Sequence, residues 1–160
     1  MKKALFLDRD GVLNRERGDY TFSVEDFEVL PDVAESLKLA KQKGYLLIVI
    51  SNQGGIAKGL FDPKRVEKLH QMMVDELANA DVYFDEIYYC QHHTEVGKCI
   101  CRKPNSLMLE KAIARLDIDV EKSVMIGDSQ RDVDAASKVG VQGFLIESNS
   151  GILKIVQGLK

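Results

Sequence analysis

The sequence predicts an α/β fold, a Rossmann-like open parallel sheet with helices on both faces, and two observations carry that expectation. Short apolar runs alternate with amphipathic helical patterns from one end of the chain to the other. One of those runs, Tyr45–Ile50, is apolar without interruption, as a central parallel strand covered on both sides requires. With 160 residues, 45% hydrophobic and 29% charged, the chain can bury one substantial core. No repeat, low-complexity tract or Pro/Ser-rich linker divides it, so residues 1–160 are expected to form a single domain.

Each element follows from its local pattern. Ala4–Leu7 reads as a short buried strand. Residues 32–43 read as a helix with Val33, Leu37 and Ala40 on one face, stopped by Gly44. After the Tyr45–Ile50 strand, Asp62 is placed to cap a helix with Pro63 in its first turn. Val66, Leu69, Met73 and Leu77 form the apolar stripe of that helix. Further strands are expected at Glu86–Tyr89, Ser123–Ile126 and Gln142–Ile146, with helices at 105–116 and 131–139 between them. A short helix at 152–157, stopped by Gly158, closes the chain. In open parallel sheets ligands bind beyond the carboxyl ends of the strands, which directs attention to the residues after each apolar run.

Bulk properties narrow the function classes. Net charge is −3 and the basic residues are scattered, so no nucleic-acid footprint is visible. No apolar run approaches the roughly 20 residues that span a bilayer. The apolar start is too short for a signal-peptide core. A cytoplasmic monomer without nucleic-acid or membrane partners is the expectation.

The strand ends carry the chemistry. Asp8-Arg9-Asp10-Gly11 follows the first strand, and residues two apart on extended backbone point the same way. Two carboxylates at one mouth repel unless a cation joins them, and Mg²⁺ takes oxygen ligands while leaving room for phosphate. One carboxylate can attack phosphorus while the other protonates the leaving oxygen. Ser51-Asn52-Gln53-Gly54-Gly55 ends the Tyr45–Ile50 strand with a hydroxyl and accessible amides suited to phosphate oxygens. Lys103 adds a cation for a phosphoryl group, and Asp128 stands where a third carboxylate completes a Mg²⁺ shell. Ser129-x-x-Asp132 has the pattern of a capping box, with metal support a lesser role for Asp132.

In this order, Asp8-Arg9-Asp10-Gly11, Ser51-Asn52-Gln53, Lys103-Pro104 and Gly127-Asp128 resemble the four motifs of the haloacid dehalogenase superfamily of phosphohydrolases, from Leu5 to about Ile146. The resemblance implies that Asp8 is the nucleophile and Asp10 the general acid, later the general base. It implies that Ser51 and Lys103 hold phosphoryl oxygens. Asp8, the Asp10 carbonyl and Asp128 would bind Mg²⁺. About 20 residues lie between Gly11 and Leu30, too few for a cap domain, so a capless site is expected.

Cys90-x-His92 and Cys99-x-Cys101 supply three sulfurs and an imidazole, a closed Cys₃His set fit for a structural Zn²⁺ in a loop at 90–101. His93 is the alternative imidazole. This loop, running into Arg102-Lys103-Pro104, resembles two phosphatase families: the D-glycero-D-manno-heptose 1,7-bisphosphate 7-phosphatases and the histidinol-phosphate phosphatases. The Ser51–Leu60 run, Asn14 and Tyr20 look like the heptose enzymes; the short spacer between His92 and Cys99 looks like the histidinol enzymes. A sugar bisphosphate is the first choice of substrate and histidinol phosphate the alternative. Ser129 departs from both families, which commonly carry a basic residue there, and Arg131 is the candidate replacement.

Candidate substrate contacts are Asn14, Arg17, Asp19, Asn52, Gln53 and Arg102, with Arg15 and Lys58 as further cations for an uncleaved phosphate. Glu16 and Asp19 would face the ammonium of histidinol phosphate. A non-catalytic zinc-binding module on the same fold is the contrasting class, and the intact set Asp8, Asp10 and Asp128 argues against it.

Overall fold

Five parallel strands and five helices alternate along the chain in the computed structural model, which describes residues 1–160. Strand β1 (Lys3–Leu7) is followed by helix α1 (Val33–Gln42), β2 (Tyr45–Asn52), α2 (Pro63–Ala78) and β3 (Glu86–Cys90). Then come α3 (Leu107–Leu116), β4 (Val124–Gly127), α4 (Gln130–Lys138), β5 (Gln142–Leu145) and α5 (Leu153–Gly158). The sheet order is β3-β2-β1-β4-β5, so the chain winds one way from β1 and then crosses to its other side. That reversal places the ends of β1 and β4 at the switch point, where open α/β sheets bind ligands.

Both sheet faces are buried, and strand alternation sorts the side chains between them. Leu5, Leu7, Leu47, Val49 and Ile126 join residues of α1, α2 and α5 in one cluster. Ala4, Phe6, Ile48, Ile50 and Met125 pack with α3 and α4 in the other. The stripe Val66, Leu69, Met73 and Leu77 is buried as the sequence requires, and the Asp62 carboxylate accepts from Arg65 N at 2.9 Å.

Element ends differ from the sequence expectations by a residue or two. β2 runs on through Ser51 and Asn52, because both pair with β3 opposite Tyr89 and Cys90. Strand geometry therefore carries Ser51 and Asn52, which the sequence places just beyond the Tyr45–Ile50 strand. Helix α3 starts at Leu107 rather than 105, after a turn in which Asn105 N donates to Arg102 O.

Candidate active site

The β1–β4 pairing sets the site. Leu7 lies opposite Ile126, and Asp8 N donates to Ile126 O at 3.0 Å, so Asp8 and Asp128 leave the sheet side by side. Carboxylate oxygens of Asp8, Asp128 and Asp132 lie within 4.8 Å of one another. Lys103 Nζ donates to Asp8 Oδ1 at 2.8 Å and to Ile50 O at 2.6 Å, and forms an ion pair of 2.7 Å with Asp132. Burial pushes Asp8 up to about 7 despite the neighbouring Lys103. Burial alone would lower Lys103, but the charges of Asp8 and Asp132 outweigh it and hold the ammonium above its ordinary value.

Asp10 is gripped on both oxygens. Arg9 and Asn14 each donate to Oδ1 at 2.9 Å, and Gln53 donates to Oδ2 at 3.0 Å. Burial would raise this carboxyl, yet the Arg9 charge and these donors hold it below the usual range. Gln53 also donates to Ser51 Oγ at 2.8 Å. The Asn52 amide bridges to the backbone of Lys103 in both directions, at 3.1 Å and 3.0 Å. Lys103 is therefore held at its main chain by β2 and at its ammonium by Asp8, just past β1, and Asp132, in the first turn of α4.

A polar cavity of about 550 Å³ opens over these groups, lined by Asp8, Asp10, Lys103 and Asp128, with Arg102, Arg131 and His93 at one side. The acids fit a divalent cation: three carboxylates converge, and only glycine at position 11 leaves Asp128 room. A Cβ there would lie 2.0 Å from Asp128 Oδ2, and Gly11 has a φ of +85°. Ser148 Oγ orients the same Asp128 oxygen at 2.6 Å.

Beside this cavity, Cys90, His92, Cys99 and Cys101 bring four ligand atoms together. Tetrahedral zinc with bonds of about 2.3 Å holds its sulfurs roughly 3.8 Å apart. Cys90 and Cys99 sulfurs are 3.8 Å apart, and Cys90 and Cys101 are closer, at 3.1 Å. His92 Nδ1 lies 3.2 Å from the Cys101 sulfur, which makes His92 the imidazole of the set. The donor chemistry, closed and sulfur-rich, fits zinc.

Comparison with known proteins agrees with this geometry. A family model described as HAD-hydrolase-like matches residues 100–152. The D-glycero-beta-D-manno-heptose-1,7-bisphosphate 7-phosphatase of Haemophilus ducreyi is 42% identical over 88% of this chain and 80% of its own. The chain belongs to the heptose-bisphosphate phosphatase family of haloacid dehalogenase-like hydrolases. An alpha-specific namesake from Campylobacter jejuni is 40% identical, over 92% of this chain and 83% of its own. Among solved structures, the D,D-heptose 1,7-bisphosphate phosphatase of B. bronchiseptica, complexed with magnesium and phosphate, superposes with a TM-score of 0.85. It is 31% identical and covers 99% of this chain and 88% of its own.

For this phosphatase, the structure gathers most of the residues singled out in the sequence, and it moves several. Asp8, Asp10, Asn52, Gln53, Arg102, Lys103, Asp128 and Asp19 all line the cavity. Ser51 is fully buried beneath it, against Gln53. Asn14, expected as a substrate contact, is buried under Asp10 and serves that carboxylate instead. Arg17 lies outside the cavity, paired with Asp26 at 2.9 Å, because the loop turns it outward. Arg15 and Lys58 are likewise taken by Glu28 and Glu95. The cations at the cavity wall without an acidic partner are Arg102 and Arg131 rather than a cluster of loop arginines.

His93, offered in the sequence as the alternative zinc imidazole, lines the cavity instead. Two residues were given no role in the sequence. Arg9 and His70 form a buried pair behind Asp10. Arg9 sits between the two key acids, and a charged residue closing an apolar strand was the available signal. Asp132 does cap α4, accepting from Ser129 N at 3.1 Å, but its ion pair with Lys103 makes it part of the site as well.

Proposed function

We propose that the chain, acting as one phosphatase domain, removes the 7-phosphate of a D-glycero-D-manno-heptose 1,7-bisphosphate. The observation that carries the reading is the contact between Lys103 Nζ and Asp8 Oδ1, with Asp10 held at the same cavity. Asp8 then has one oxygen on the lysine and one free to attack. As the Asp8 oxygen–phosphorus bond forms, the bond from phosphorus to the C7 oxygen breaks. Asp10 gives that oxygen its proton, the arriving phosphate dianion countering the pull of Arg9 on the acid. In the second half, Asp10 takes a proton from water as the water attacks phosphorus, and the Asp8 carboxylate leaves.

Lys103 neutralises the phosphoryl oxygens, and the buried Ser51 shapes their floor through Gln53. Asp8, Asp128 and the Asp10 carbonyl would hold Mg²⁺, which supplies charge neutralisation across the nucleophile and the phosphoryl group. The Cys90, His92, Cys99 and Cys101 set would hold Zn²⁺ as a structural ion, fixing the loop that delivers Arg102 and Lys103. Gly54 allows that loop to sit close: a Cβ there would meet Arg102 and His93 at 2.8 Å.

The substrate reading draws on the heptose relatives and on Arg102 and Arg131, two cations at the cavity wall for the phosphate that is not cleaved. Histidinol phosphate is the second reading, because Glu16 and Asp19 also line the cavity and suit an ammonium. No helix is long and apolar enough to cross a membrane, in keeping with a dissolved sugar phosphate as substrate. Phosphate release from both compounds, side by side with Mg²⁺, separates the readings. Faster turnover of the heptose bisphosphate supports the proposal, and preference for histidinol phosphate overturns its substrate.

A further inference from the structure

Arg9 is the largest fully buried side chain in the molecule, with an exposure of 0%, and its one ion pair is with Asp10. Burying a guanidinium is costly unless its donors are used, so its partners show what it is for. Nη2 donates to Asp10 Oδ1 at 2.9 Å and to the carbonyl of Thr21 at 3.2 Å. Nη1 faces His70 Nε2 at 3.4 Å. Burial, reinforced by the Arg9 charge, pushes His70 down to about 3, so the ring is neutral and its Nε2 accepts. His70 belongs to the buried stripe of α2 and is braced by the edge of Tyr89, with ring centroids 5.5 Å apart. The ring of Phe27 covers the guanidinium from 5.6 Å.

Asp10 has three donors, and they differ in kind. Asn14 and Gln53 are neutral amides. Arg9 alone carries charge, and Arg9 alone is tied to an element outside the site, the helix α2. It also holds Thr21, whose loop forms part of the cavity wall. We infer that Arg9 is a positioning residue for proton transfer, fixing the Asp10 carboxylate at the leaving oxygen and bracing it on α2 through His70. The inference rests on the reading of Asp10 as general acid. A lysine at this position could reach one of these three acceptors but could not present the planar fork that spans them.

The discriminating readout is leaving-group dependence, which a merely structural role would not move. The constant kcat/KM covers the steps up to transfer of phosphate to Asp8. A sugar alkoxide needs a proton to leave at that stage, and nitrophenolate does not. The experiment measures kcat/KM for heptose 1,7-bisphosphate and p-nitrophenyl phosphate in the wild type, Arg9→Lys and Asp10→Asn. Arg9→Lys is expected to lose about 100-fold on the bisphosphate and less than about fivefold on the aryl ester, since general acid catalysis is worth roughly 10²–10⁴. Equal losses on both substrates, or none on either, overturn the inference.

Asp10→Asn separates the two levels. If it shows the selective loss and Arg9→Lys does not, the Arg9 role falls while the general acid stands. If Asp10→Asn shows no selectivity, the general-acid reading falls and takes this inference with it. Should Arg9→Lys fail to melt cooperatively, His70→Met removes the acceptor of Nη1 and reads the same brace from α2. A smaller loss confined to the bisphosphate supports the role; a uniform loss or none contradicts it.

Discussion

The Lys103 ammonium and the Asp132 carboxylate meet at 2.7 Å, with both side chains only 1% exposed. Asp132 lies in the first turn of α4, so this contact ties the cation at Asp8 to the helix that follows the Asp128 strand. Removing one partner of a buried ion pair leaves a charge without compensation. Asp132→Asn is expected to lower stability by about 3 kcal/mol and to weaken turnover as Lys103 drifts from its position. Urea unfolding and steady-state kinetics check it; wild-type values for both would contradict the role.

Gly11 combines a φ of +85° with a missing Cβ that would otherwise lie 2.0 Å from Asp128 Oδ2. Gly11→Ala therefore has to displace the Asp128 carboxylate, proposed above as a Mg²⁺ ligand. The half-saturating Mg²⁺ concentration for phosphate release is expected to rise about 10- to 100-fold, as for disturbed ligand support elsewhere. An unchanged Mg²⁺ requirement would show that Asp128 does not bind the ion.

Much of this was legible in advance. Short motifs at strand ends reveal chemistry because β1, β2 and β4 deliver their next residues to one edge, whatever the loops do. The capping pattern at Ser129 and Asp132 was also legible, but a carboxylate can cap a helix and pair with a distant lysine at once. Nothing local announces the second partner, 29 positions away in sequence. Loop cations were the hardest to place. Arg15 and Arg17 looked like phosphate ligands, and Glu28 and Asp26, from the returning segment, bind them instead. His70 looked like any residue of an amphipathic helix, and only the packing of α2 brings it to Arg9.

The Cys90–Cys101 loop, proposed to hold Zn²⁺, gives a prediction about both stability and substrate binding. Burial pushes the Cys90 thiol up to about 12, so a cation is needed to hold it as thiolate. Cys99→Ser is expected to lose about one equivalent of zinc and to lower the melting temperature by roughly 5–10 °C, a loss of ~2–3 kcal/mol for a domain of this size. KM should rise, because Arg102 donates to His92 O at 3.1 Å within the same loop. Metal analysis, calorimetry and kinetics test this together; a metal-free protein with native melting and KM would contradict it.

His70 gives a pH dependence with a defined sign. Its folded value of about 3 lies below the ordinary histidine value of 6.5. Below pH 6.5 the unfolded chain takes up a proton that the folded chain refuses, so stability falls as pH falls through this range. Between pH 7 and 5.5 the loss from this group amounts to about 1 kcal/mol. His70→Gln keeps an acceptor for Arg9 and removes the titration, so its stability should fall about 1 kcal/mol less than the wild type over the same interval. Parallel curves for the two proteins in chemical denaturation would refute the assignment.

The central claim is that Asp8 takes the 7-phosphate onto itself. The most direct test is rapid acid quench of the enzyme with Mg²⁺ and heptose 1,7-bisphosphate labelled at either phosphate, followed by peptide mapping. The account predicts hydroxylamine-labile label on the peptide containing Asp8 from the 7-labelled compound, none from the 1-labelled compound, and none in Asp8→Asn. Phosphate release from the 7-position with no label on that peptide, or with label retained in Asp8→Asn, would contradict it.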